Sequence, residues 1–279
     1  MKKFKDFLKR AWSIPQMRIG LILLALLILM AIFAPVLAPH DPYYLYDERL
    51  HAPCAEFPLG TDGVGHCVLS QIIYGSRTSL TIGVIAASIS AVIGTTVGGV
   101  AGFFGGKTDK VLNEVMNVFL MIPSFFLILL IVAIYGSSML NVMIIIGLTS
   151  WVGNARLMRA QAISLKQRTF IRSAEAMGES KSSILWKHII PNGIFPIIAN
   201  TTMNISGAIL SEAGLAFIGL GDPNIISWGQ IIDAGKKYLP KCWWITSFSG
   251  LAVVFTVLAF YLIGDGLTKV LTPKMTQQK

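Results

Sequence analysis

The sequence predicts an all-α, polytopic membrane protein with six transmembrane helices. Three observations carry this: an apolar composition, a set of uncharged runs of spanning length, and a strongly one-sided placement of basic residues. Hydrophobic residues make up 54% of the 279 and charged residues only 13%, and the mean hydropathy is +0.66. A soluble domain carries about a quarter charged residues. The net charge of +9 would suit a nucleic-acid binder, but topology accounts for it.

Spans follow from apolar length, since about 20 helical residues cross the hydrocarbon core. The first is Ile19 to Pro39, preceded by Lys2, Lys3, Lys5, Lys9, Arg10 and Arg18. Its length and the poor cleavage context at Ala34-Pro35 favour a retained anchor over a cleaved signal peptide. Thr78 to Gly106 is the second. Val115 to Ala155 is uncharged over 41 residues, about twice what one helix needs, and the Gly136-Ser137-Ser138 break divides it into spans three and four. Ile189 to Ser211 and Cys242 to Gly264 supply spans five and six. Six spans place both termini on one side. With that side cytoplasmic, 18 of the 23 basic residues lie inside, leaving Arg49, Arg77, Lys236, Lys237 and Lys241 outside, the bias that the positive-inside rule requires. The expected organisation is therefore a basic N-terminus (1–18), a first span (19–39), an external loop (40–77), a five-helix core (78–268) containing a cytoplasmic loop (156–190), and a tail (269–279).

The external loop is rich in proline, tyrosine and acid. Near its end Gly60, Gly63 and Gly65 permit tight turns, and Val68, Leu69, Ile72 and Ile73 have the spacing of a short amphipathic helix on the membrane surface. His51, Cys54, His66 and Cys67 fall within 17 residues but match no standard metal motif. A disulfide between Cys54 and Cys67, or plain packing, are the stronger readings. In span two, Gly83, Ala87, Ala91, Gly94, Gly98, Gly102 and Gly106 form a smooth ridge for close helix approach.

Charge is absent from the middle of every span, and Glu114, Glu212 and Asp265 sit near ends, within reach of water. Span five carries a polar stripe of Asn200, Asn204, Gly207 and Ser211, which must face protein or water. It either bonds neighbouring helices or lines a translocation path. No paired carboxylates, Ser/His/Asp set or G-x-x-x-x-G-K-[ST] loop is present,, so an enzyme is not expected. An ion-coupled secondary transporter would want a midspan carboxylate, and none is seen.

The longest charged segment between spans, Thr169 to Asn192, reads as helix, glycine, helix: a polar platform that a soluble partner can grip. It resembles the cytoplasmic coupling loop of ABC-importer permeases, E-A-A, three residues, G, nine residues, I-x-L-P. Ala174, Gly178, Ile190 and Pro191 stand at matching positions, while Arg172 replaces the glutamate, Ser173 the first alanine and His188 an isoleucine, and Glu175 lies where the family is often basic. Further segments resemble the second permease subunit of the dipeptide, oligopeptide and nickel branch. They are Leu59-Gly60-Thr61-Asp62 with Gly65 and Ser70, Tyr74-Gly75 with Arg77, and Glu212-Ala213-Gly214-Leu215 with Phe217 to Gly221. Ser227-Trp228-Gly229 and Gly264-Asp265-Gly266-Leu267 before Pro273 complete the set. His66-Cys67 and Gln71 depart from the branch pattern.

The resemblance implies a type I ABC-importer permease fold, and a chain that pairs with a homologous second permease, two cytoplasmic ATPases and an extracytoplasmic solute-binding protein. It implies no cofactor in this chain, ATP and Mg being bound by the ATPases, and peptide or nickel as solute. Coupling falls to Arg172, Ser173, Ala174, Glu175, Ala176, Gly178 and Pro191, the last as the start of span five.

Overall fold

A computed structural model describes residues 11–271; the basic residues 2–10 and those of the tail at 274 and 279 lie outside them. Among the described residues the chain is almost wholly helical, with one isolated bridge between Thr61 and Cys67. The helices are α1 (Pro15–Ile32), α2 (Ala34–Leu37), α3 (Val68–Phe104), α4 (Gly106–Met121), α5 (Ser124–Tyr135), α6 (Met139–Thr149), α7 (Val152–Lys166), α8 (Thr169–Ala176) and α9 (Lys181–Ile184). A π turn (Leu185–Ile189) leads into α10 (Ile190–Phe217), followed by α11 (Trp228–Lys236) and α12 (Trp243–Leu271). Among the described residues five spans are long and apolar enough to cross a membrane, and six if the bent pair α4 and α5 counts as one.

Several boundaries differ from the sequence expectation, each for a local reason. The first span helix runs from Pro15 and stops at Phe33, where Pro35 opens the short α2, because proline favours a helix's first turn and breaks its interior. The amphipathic surface helix expected at 68–73 is instead the outer end of α3. With 37 residues, α3 is about 55 Å long against a core of about 30 Å, so its outer turns stand clear of the hydrocarbon. They are buried by Trp228, whose ring N–H donates to the Ile72 carbonyl at 3.0 Å.

Span three is not one straight helix. Ile122 is extended and Pro123 starts α5, so the chain turns by 83° between α4 and α5. Proline drives the residue before it out of the α region. The break at Gly136 is present as expected, with φ +89°. Beyond Ala155 the helix continues to Lys166, which shortens the cytoplasmic loop. Pro191 does not start span five, since helix is continuous from Lys181. Having no N–H for the Lys187 carbonyl and crowding it, Pro191 is preceded by the π turn,.

α3 lies at the centre, against α6, α7 and α10, while α12 packs on α10 and α1. The small-residue ridge explains this closeness. A Cβ on Gly98 would sit 2.1 Å from the Ala155 carbonyl oxygen, and one on Gly102 2.4 Å from that of Arg159. Gly83 faces Ile209 of α10. Gly106 is not on the ridge: with Gly105 it forms a positive-φ turn after α3. Arg77 closes the opposite end of α1, donating to the carbonyls of Ala31 and Ile32, two of the acceptors a helix C-terminus leaves open.

Candidate functional site

The platform is built as a plug. α8 turns Ile171 and Ala174 inward, Ala174 only 3% exposed, into a cluster with Phe103 of α3, Met158 and Ala162 of α7, and Ile184, Leu185, Ile189 and Ile197. Arg172, Ser173, Glu175, Ala176 and Gly178 face out, beside Met177 at 79% exposure and Phe170. Of the expected coupling residues, then, Ala174 is an anchor, while Pro191 is exposed on the π-to-α junction. Gly178 has φ +80° and ends α8 in a Schellman motif: its N–H reaches the Glu175 carbonyl and that of Glu179 the Ala174 carbonyl,.

Glu179 then clasps the following turn. It accepts from the Ser183 hydroxyl at 2.6 Å and lies 2.8 Å from His188 Nε2, the side chain at the family's isoleucine position. Those two hydrogen bonds, Ser183 first and His188 second, hold its carboxyl below the ordinary value. Behind the platform, Arg159 of α7 grips Asp109 of α4 through Nε and Nη2, at 2.5 and 2.7 Å, and Lys166 donates to the Phe103 carbonyl at the end of α3. Any push on α8 therefore meets a joint of α3, α4, α7 and α10.

Within the bundle, Asn200 is tied across helices. Ser90 donates to the Ser150 carbonyl, Asn154 to Ser90, and Asn200 to Asn154 at 2.9 Å. Asn154 is 0% exposed and is the hub that sequence reasoning missed; an amide in an uncharged run, as Asn117, Asn141 and Asn154 all are, is the signal, because such a group must find a partner in the membrane. Asn200 also borders a cavity of about 620 Å³ with Leu157, Gln161, Asn192, Phe195 and Met203. Ser211 donates to its own helix at Gly207. Asn204 is half-buried and does not line that cavity.

Glu212 does not reach water. It is 4% exposed, accepting from the Ser227 hydroxyl at 2.6 Å, while its other oxygen has no protein donor. Ser227 in turn caps α11 at Gln230. The glycines between them make the room: Gly219, at φ +85°, ends α10 in a second Schellman motif,, and a Cβ on Gly229 would meet Ala213 at 2.7 Å. The motifs of this stretch thus encode one outer corner.

The external loop is held by Asp62. Its Oδ1 accepts from the N–H groups of Val64, Gly65 and His66, and Oδ2 lies 2.8 Å from His66 Nδ1. Burial pushes this carboxyl up, but the His66 bonds and the backbone donors outweigh it and leave it below its ordinary value. The four possible ligands do not converge. His51 Nδ1 binds the Ala52 carbonyl, Cys54 accepts from Phe57, Cys67 is buried, and no group of three ligand-type side chains able to hold a metal occurs among the described residues. Cys54, Cys67 and Cys242 are free thiols, so packing holds the loop and a disulfide does not.

Comparison with known proteins agrees with this geometry. Residues 4–53 match the N-terminal TM domain of oligopeptide transport permease C. The dipeptide transport system permease protein DppC of Alkalihalophilus pseudofirmus is 36% identical over 278 residues, 98% of this chain and 89% of its own. The oligopeptide transport system permease protein OppC of Bacillus subtilis is 32% identical over 276 residues, 98% and 90% of the two chains. A solved inward-facing MetNI methionine ABC transporter shares the fold, with a TM-score of 0.58 at 18% identity over 72% of this chain and 96% of that one. With residues 94–277 also matching the family description, the chain belongs to the binding-protein-dependent transport system inner membrane component family, the multi-pass permeases of ABC importers.

Proposed function

We propose that this chain is one of two permease subunits of an ATP-driven importer of di- and oligopeptides. It would pair with a homologous second permease, take solute from an extracytoplasmic binding protein, and rest its platform on one of two cytoplasmic ATPases, which bind ATP and Mg. The termini and α8 are cytoplasmic in this scheme. The observation that carries it is the platform itself: an exposed face of Arg172, Glu175, Ala176 and Met177 on a helix whose other face is plugged into the inner ends of α3, α7 and α10. A partner that moves α8 moves those ends as a body, the rigid-body transmission that alternating access needs. The peptide and glutathione permeases among the relatives favour peptide over nickel. Asn200, Asn204 and Ser211 remain path candidates, with Asn200 favoured by its cavity.

Copurification of the chain with its neighbouring permease and ATPases, followed by ATPase assays in lipid, tests the proposal. Stimulation by a binding protein loaded with tripeptide, and not by a nickel-loaded one, is expected. A well-folded chain that binds no ATPase would refute it.

A further inference from the structure

The 620 Å³ cavity lies in the size range of small-molecule sites, and the hydrogen-bond polarity of its amides can be worked out. For Asn200 the chain of donors starts at a carbonyl, which can only accept: Ser150 takes the Ser90 hydroxyl proton. Ser90 Oγ therefore accepts from the Asn154 amide nitrogen, and Asn154 Oδ1 accepts from that of Asn200. Asn200 Oδ1 is left over. For Asn192 the anchor is the His188 carbonyl, which takes the amide nitrogen at 2.7 Å and likewise leaves Oδ1 unused. Each amide is thus held by one N–H committed to protein, with its oxygen available and its second N–H left as a further donor,. Gln161, whose side-chain amide has no partner among the described residues, can turn either way.

The other walls are Leu157, Phe195, Pro196 and Met203 together with Thr268, whose hydroxyl donates to the Gly264 carbonyl of its own helix, and no charged side chain lines the space. An ion is a poor fit to so roomy a site, since hard cations want six or more oxygens at short range. A ligand rich in N–H donors and indifferent to charge fits. Asn192 and Asn200 are eight helical residues apart, about 12 Å along α10, close to the roughly 10 Å of an extended tripeptide.

We infer that this cavity binds the transported peptide by its main chain, Asn192 Oδ1 and Asn200 Oδ1 accepting from peptide N–H groups while the side chains rest on Leu157, Phe195 and Met203. The inference rests on the peptide reading above. It explains how one path passes peptides of different sequence: selection by side-chain charge has no group here to act through.

The test uses the complete importer, with its own second permease, ATPases and binding protein, in proteoliposomes supplied with tri-alanine, tri-lysine or tri-glutamate. The double variant Gln161→Leu/Asn192→Leu spares the Asn154 network. It should assemble, as judged by copurification, and lose about fivefold in uptake for each hydrogen bond removed, equally for the peptides that the unaltered importer carries. Normal uptake by an assembled variant, or a loss confined to one charge class, overturns the inference. Independently, a benzoylphenylalanine-bearing tripeptide should photolabel the unaltered importer within residues 157–203, and labelling elsewhere alone would overturn it even if the variant fails to assemble. If the unaltered importer carries none of the three peptides while its ATPase responds to another solute, the peptide reading itself fails.

Discussion

Gly98→Ala isolates what the glycine ridge does. The added Cβ would lie 2.1 Å from the Ala155 carbonyl oxygen and within 2.9 Å of two further Ala155 backbone atoms. Ordinary contact begins at 3.4 Å, so α3 and α7 must part by more than an ångström at their closest crossing. No side chain can swing aside, because the obstacle is backbone. Overpacking of this kind costs roughly 1–3 kcal/mol, offset by up to about 1 kcal/mol of improved helix propensity. A net loss of about 1–2 kcal/mol should lower the unfolding midpoint of the purified complex by on the order of 5 °C. Gly207→Ala on α10 is the matched control, since nothing lies within 4 Å of its Cβ; the same propensity gain should leave its midpoint level or slightly raised. Scanning fluorimetry of the two complexes in one detergent reads the difference. Equal midpoints would show that α3 and α7 are not in contact as described, and the account of the ridge would fall with them.

Ala176→Asp places a charge on the exposed face of α8, so the chain should fold normally while uptake by the assembled importer drops about tenfold or more, roughly 1.4 kcal/mol at the partner contact; full uptake would remove Ala176 from that contact. Glu212→Ala removes the acceptor of Ser227 and opens a hole at the outer corner, costing about 2–3 kcal/mol, whereas Glu212→Gln keeps an accepting oxygen and should cost under about 1 kcal/mol. Equal thermal midpoints for those two variants would refute the corner's dependence on that bond. Asp62, whose carboxyl lies below its ordinary 3.8, contributes stability that is present above pH 3.8 and is lost as the pH falls through its lower folded value. Hydrogen exchange at Val64, Gly65 and His66, corrected for intrinsic rate, should accelerate in that acid window and already be fast at neutral pH in Asp62→Ala, which removes the acceptor of all three N–H groups, and unchanged protection in the variant would count against the loop's architecture.

Much of this protein is written locally. Apolar run length and the placement of lysine and arginine yield the helical class and the six spans, because a bilayer of set thickness admits little else. The ridge of Gly94, Gly98 and Gly102 is equally legible, since small residues four apart must fall on one face, and so is the helix-glycine-helix platform with its αL cap at Gly178. Proline punctuation was legible in kind but not in place: Pro123 turns a helix by 83°, while Pro191 is absorbed into a continuous one.

What lay beyond one-dimensional pattern depends on distant partners. Glu212 stands near the end of an apolar run, where a charge ordinarily meets water, yet Ser227, fifteen residues on, folds back over it with α11. Asn154 acquires its importance only because Ser90 and Asn200 arrive from two other helices. The same holds for Ala174, which becomes an anchor because Phe103, Met158 and Ile189 close around it. The direction in which Asn192 and Asn200 turn their oxygens is set by acceptors on the far side of each amide. Helix periodicity decides which face a residue occupies; only packing decides what that face meets.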